Sequence, residues 1–180
     1  RLMRVNQVAL KGSHNLANVL AALALGQAVD LPMQSMLDTL KTFNGLPHRC
    51  QFVAEINSIS FVNDSKATNV GAAVAAIRGF GDKASKNIIL IAGGQAKGQD
   101  FKALVSEVPN YVKLILLIGE DGKQLASAVG NSCEIQYSES LDAAVIQANN
   151  VAVSGDTVLL SPACASFDMF DGFEHRGKCF

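Results

Sequence analysis

The runs Ile88-Ile89-Leu90-Ile91-Ala92 and Leu114-Ile115-Leu116-Leu117-Ile118 are apolar at consecutive positions. That pattern marks strands buried on both faces of a parallel sheet rather than strands with one wet face. Around these runs, extended and helical segments alternate. The pattern predicts strands over 51–56, 59–62, 88–92, 112–118 and 157–161, and helices over 70–80, 101–108, 121–129 and 140–150. Such alternation defines a doubly wound α/β unit with a mainly parallel sheet. The last residues, up to Phe180, read as a continuing helix.

Residues 1–42 have another rhythm. His14 to Ala28 is rich in Ala and Leu, with Leu16, Val19, Leu20 and Leu23 at helical spacing behind Gly12-Ser13. This predicts a buried helix with Ser13 capping its first turn. A second helix is predicted from Pro32 to about Thr42, with Met33, Met36, Leu37 and Leu40 forming an apolar stripe. Phe43-Asn44-Gly45-Leu46-Pro47-His48-Arg49 breaks the pattern with Gly and Pro, which puts a domain boundary there. Both ends of the chain read as cut from something longer.

Composition narrows the class. The 180 residues are 49% hydrophobic and only 17% charged, so a large core is expected and disorder is excluded. Fifteen Lys and Arg against 16 Asp and Glu leave a net charge of −1. No basic surface for nucleic acid is expected. No apolar stretch approaches the ~20 residues that span a bilayer, and no signal peptide is visible, so the cytoplasm is the expected compartment. Cys50, Cys133, Cys164 and Cys179 lack CxxC spacing and read as reduced thiols, and His14, His48 and His175 lack metal-ligand spacing.

Three strands end in loops that could carry chemistry, since ligands of open parallel sheets bind outside the carboxyl ends of strands. The first loop, Asn63-Asp64-Ser65-Lys66-Ala67-Thr68-Asn69, precedes an Ala-rich helix. Thr68 or Asn69 can cap that helix, and the same helix start, with Lys66 and Asp64, can receive an anion and a ribose hydroxyl. The second, Gly93-Gly94-Gln95-Ala96-Lys97-Gly98-Gln99-Asp100, allows close backbone approach to a ligand. It is neither GxGxxG, because position 95 is Gln, nor a P-loop, because Gln99 stands where the lysine would be. The third, Ser161-Pro162-Ala163-Cys164-Ala165-Ser166-Phe167-Asp168, lacks the glycines of a nucleophile elbow. There Cys164 reads as a small buried residue and Ser166 as a helix cap whose hydroxyl can also face a ligand.

Taken together, five blocks resemble the Mur ligase family: Gly12-Ser13-His14-Asn15-Leu16-Ala17-Asn18, Leu46-Pro47-His48-Arg49, the Asn63–Asn69 loop, the Gly93-Gly94 turn with Lys97, and the loop from Ser161 through Phe173-Glu174-His175-Arg176-Gly177. The last two resemble the branch whose amine substrate is D-glutamate. The resemblance implies that residues 1–46 end a central ATP-binding domain and that residues 47–180 form a Rossmann-like C-terminal domain. The P-loop and the Mg2+ ligands would then lie outside this chain, which alone is expected to be inactive. The implied reaction uses ATP, UDP-N-acetylmuramoyl-L-alanine and D-glutamate, forms an acyl phosphate and closes an amide, in a monomeric cytoplasmic enzyme of peptidoglycan synthesis.

Position by position, the resemblance implies nucleotide contacts from Asn15, Asn18, His48, Arg49, Asp64 and Lys66, with Arg49, Asp64 and Lys66 also in the reaction. Thr68, Lys97, Ser166 and Phe173 correspond to the D-glutamate pocket. Another muramoyl-peptide ligase or a folylpolyglutamate synthase would share Asn15, Arg49 and Asp64 but differ in the last two loops. A nucleotide-binding module without catalysis is the rival of another class, and calorimetry with ADP and with D-glutamate separates the two.

Overall fold

The computed structural model describes residues 2–10 and 12–180. Helices α1 (Ser13–Ala28) and α2 (Met33–Thr42) come first, followed by strands β1 (Gln51–Ile56) and β2 (Ile59–Asn63) and helix α3 (Val70–Phe80). The chain continues through β3 (Ile88–Gly93), α4 (Lys102–Tyr111), β4 (Val112–Ile118), α5 (Gly122–Val129), β5 (Glu134–Tyr137), α6 (Leu141–Val151), β6 (Thr157–Leu160) and α7 (Phe173–Cys179).

One six-stranded sheet has the order β1-β2-β6-β3-β4-β5. Only β1 is antiparallel, pairing with β2; the other neighbours are parallel. Every residue of β3 is buried, as the unbroken apolar run requires. Its side chains alternate between two cores. Ile88, Leu90 and Ala92 pack with α3, α4 and α5, whereas Ile89 and Ile91 pack with α6. The doubly wound α/β architecture therefore holds.

Several boundaries differ from the sequence reading. β5 went unread, because its four residues lie on the sheet edge and none is buried. α4 continues past Val108 through Pro109, its last turn closed by the Val112 N–H donating to the Val108 carbonyl. At the start of α1, Gly12 rather than Ser13 occupies the cap position; the Ser13 and His14 side chains lie outside the described residues. α1 is not buried all round. Val19 and Leu23 pack on Leu37 and Leu40 of α2, while Leu20 and Leu25 are exposed.

Because β2, β3 and β6 run parallel, the loops that follow them leave the sheet at one edge. After β2 and β3 the chain turns to the α3/α4 face, and after β6 it turns to α7 beside α6. The crevice at the carboxyl end of β6 lies between these two directions, a position that suits a ligand in this architecture.

Candidate functional site

At the β2 end of that edge, a cleft of about 190 Å³ opens between α1, the segment before β1 and the start of α3. Asn15 and Asn18 of α1, Arg49, Cys50, Asp64 and Lys66 line it, over a floor of Ala72, Ala75 and Ala76. The small side chains of α3 leave this space open. The two asparagines share a hydrogen bond, Asn18 Nδ2 donating to Asn15 Oδ1 at 3.3 Å.

Asp64 is 6% exposed and held from three directions. Its Oδ2 accepts from Ser161 Oγ at 2.9 Å, its Oδ1 from the Cys50 N–H at 3.1 Å, and its own N–H donates to the Leu160 carbonyl at 2.8 Å. Burial pushes its carboxyl up to about 6, against the pull of these hydrogen bonds and the nearby Arg49 charge. A folded value above the ordinary 3.8 means the neutral form is favoured in the folded chain. The stability this contributes is full below pH 4 and is lost as pH rises through 6. Asp64→Asn keeps the shape and removes the titration. The stability of the wild type minus that of the variant should fall by up to about 3 kcal/mol between pH 4 and 7. Urea denaturation of both across that range measures it, and a constant difference would show that Asp64 is not titrating there.

Lys66 lines the same cleft and places its ammonium 3.7 Å from the centre of the Phe173 ring. Its N–H donates to the His48 carbonyl at 3.0 Å. The His48 ring is turned the other way. It stands edge-on to Phe173, near Asn63 Nδ2 at 3.3 Å, and so close to Gly177 that a Cβ there would collide with it. His48 thus touches α7 with its ring and the Lys66 loop with its backbone, and it is not among the residues lining the cleft.

The remaining expected site residues occupy the neighbouring loops. Asn69 caps α3, accepting from the Ala72 N–H at 2.9 Å, so the cap does not use Thr68. Lys97 sits in the left-handed region, with φ +52°, in a turn held by Asp121, whose Oδ2 accepts from the Ala96 N–H at 2.8 Å. Its ammonium lies 5.2 Å from the Phe167 ring. Gly94 must be glycine here, because a Cβ would strike the Ala165 carbonyl, where Gln95 and Ala165 exchange two backbone hydrogen bonds of 3.0 Å. Ser166 is buried and its carbonyl accepts from Met169 and Phe170. It caps no helix, since α7 begins only at Phe173. Cys164 is fully buried and its thiol is pushed up to about 12 by desolvation, which fits the reading of a packing residue and suits no nucleophile. Among the described residues, all four cysteines are free, no group of three or more His, Cys, Asp or Glu could hold a metal ion, and no helix is long and apolar enough to cross a membrane.

Arg176 had no role in the sequence reading. It is 1% exposed and clamps two loops: Nε donates to Ser65 Oγ at 3.0 Å, Nη2 to the Ser65 carbonyl at 2.9 Å, and both Nη atoms to the Cys164 carbonyl at 3.2 Å. Burial lowers its guanidinium to about 10, so it stays charged at neutral pH. No periodic signal marks a buried arginine in a seven-residue helix, because arginines are usually surface residues.

Fold and site together define an α/β domain with a cleft at the carboxyl edge of its parallel strands, and residues 48–164 match the family described as Mur ligase, glutamate ligase domain. The chain belongs to the Mur ligase family. It is 49% identical, over its whole length, to the UDP-N-acetylmuramoylalanine–D-glutamate ligase of Acinetobacter baylyi, of which it covers 41%. The enzyme of the same name from Pseudomonas aeruginosa is also 49% identical, with 100% of this chain and 40% of that protein covered. The chain thus spans about 40% of the length of the curated relatives it matches. A solved structure of Mycobacterium tuberculosis folylpolyglutamate synthase complexed with ADP shares the fold, with a TM-score of 0.69 at 16% identity over 94% of this chain and 40% of that one.

Proposed function

We propose that this chain is the C-terminal part of an ATP-dependent ligase that joins D-glutamate to UDP-N-acetylmuramoyl-L-alanine, with residues 1–46 ending its central ATP-binding domain and residues 47–180 forming the domain that takes D-glutamate. The observation that carries the reading is that Asn15, Asn18, Arg49, Asp64 and Lys66, drawn from three separate segments, line one cleft. Amide groups at one end of it can both donate to and accept from an adenine. The Asp64 carboxylate can accept from ribose hydroxyls, and the Arg49 and Lys66 cations can neutralise phosphates. Transfer of the γ-phosphoryl group to the substrate carboxylate depends on such positioning and charge neutralisation. The amine of D-glutamate then attacks the acyl phosphate, and phosphate leaves as the amide forms. The nucleophile belongs to the substrate, so the chain needs none of its own. His48 holds the Lys66 loop through its carbonyl rather than the nucleotide through its ring.

D-Glutamate is a small dicarboxylate, and Thr68, Lys97, Ser166 and Phe173 are the residues proposed to take it. The P-loop and magnesium ligands belong to residues outside this chain. The enzyme works in the cytoplasm as a monomer, without nucleic acid or membrane as partner; the net charge of −1 supports the former.

The test is steady-state kinetics on the full-length ligase. Lys97→Ala should raise the KM for D-glutamate and lower the corresponding kcat/KM by about 1.5–3 kcal/mol, the range for a charge-assisted hydrogen bond, with little change for ATP. Asp64→Ala should act mainly on ATP. Equal effects of Lys97→Ala on both substrates, or phosphate release that does not depend on D-glutamate, would overturn the assignment.

A further inference from the structure

The structure assigns Gln99 the part of a positioning residue that sets the spacing of the three loops around the amino-acid substrate. The assignment rests on the pocket proposed above. One side chain reaches all three loops. Gln99 Oε1 accepts from the Val70 N–H at 3.0 Å, at the start of α3 and two residues beyond Thr68. Its Nε2 donates to the Ala96 carbonyl at 3.0 Å, next to Lys97, and to the Ala163 carbonyl at 3.0 Å, three residues before Ser166.

Only a carboxamide meets these demands. The first-turn N–H of a helix has no partner within the helix and needs an acceptor, whereas the two carbonyls need donors. Glutamate supplies the acceptor but turns an anionic oxygen toward two carbonyls, and an apolar side chain leaves the Val70 N–H and the Ala163 carbonyl without this partner, while the Ala96 carbonyl keeps only the Gln99 backbone N–H at 3.1 Å. The other cross-loop contacts join loops in pairs, among them Gln95 with Ala165, Gly93 with Pro162, Asp64 with Ser161, and Arg176 between Ser65 and Cys164. A substrate with two carboxylates and an amine at fixed separations needs its binding groups at fixed separations too, and here those separations pass through Gln99.

The experiment compares wild-type full-length ligase with Gln99→Met and Gln99→Glu, varying D-glutamate and ATP in turn. Gln99→Met is close in length and removes both hydrogen-bonding functions. Its KM for D-glutamate should rise about tenfold or more, since displacements of about an ångström at a site are costly, while the KM for ATP stays within about twofold. Gln99→Glu should show the same split, and it carries the test if the methionine variant does not fold. A D-glutamate KM unchanged in a folded variant, equal rises for both substrates, or failure of both variants to fold would overturn the assignment and leave Gln99 a structural residue. Failure of the pocket reading itself is distinguishable, because then Lys97→Ala would also leave the KM for D-glutamate unchanged, whereas failure of this assignment alone leaves the Lys97→Ala effect in place.

Discussion

Lys66→Ala in the full-length ligase is expected to lower kcat about 100- to 1000-fold, the usual cost of removing one preorganised group from a site of developing charge. The lysine lies beside the buried Asp64 in a narrow cleft, and its backbone is tied to His48. Its ammonium rests over Phe173, which restricts the side chain without neutralising it. A charge so placed costs little reorganisation when phosphate charge builds up. Lys66→Arg keeps the charge on a broader, planar group and should recover only part of the rate. If Lys66 merely packed on Phe173, its loss would remove a cation–π contact of about 0.5–1 kcal/mol and leave kcat unchanged. Phosphate release at saturating ATP and D-glutamate, with thermal melts of the same variants, separates the two.

Arg176→Ala should destabilise the fold by about 2–4 kcal/mol. The Ser65 and Cys164 carbonyls would lose their guanidinium donors, each unpaired buried group costing roughly 1–3 kcal/mol, partly offset because a desolvated charge disappears. For a chain of this size that is a fall in Tm of about 4–16 °C. Arg176→Lys keeps a charge but cannot reach both loops with a planar fork, so it should fall between. Arg176→Met fills the volume and should lose almost as much as alanine. A methionine variant as stable as the wild type would show that packing, not the clamp, holds α7 to the two loops. The same clamp ties the Asp64–Lys66 loop to the Ser166 loop, so partial loss should also raise the KM for both ATP and D-glutamate.

Much of this was legible in the residues themselves. The central strands announce themselves because a strand covered on both faces must be apolar along its covered length, as Ile88 to Ala92 of β3 and Leu114 to Ile118 of β4 are. Helix α3 was equally plain, with Asn69 and Gly81 bracketing a run of Ala, Val and Ile. Asp64, Lys66, Lys97 and Ser166 could be placed at one edge once the strands were read as parallel. β5 stayed hidden because an edge strand of four partly exposed residues leaves almost no pattern.

Strand order could not be read, because periodicity says which face of an element is buried and not what it is buried against. Only the tertiary structure inserts β6 between β2 and β3, and this insertion brings Ser161 within 2.9 Å of Asp64. The same is true of the His48 ring turning to α7, of Arg176 reaching Ser65 over 111 positions, and of Gln99 reaching Ala163 over 64. Local patterning encodes burial and caps within a few residues; hydrogen bonds between distant loops form only once the core has packed and brought those loops to one edge.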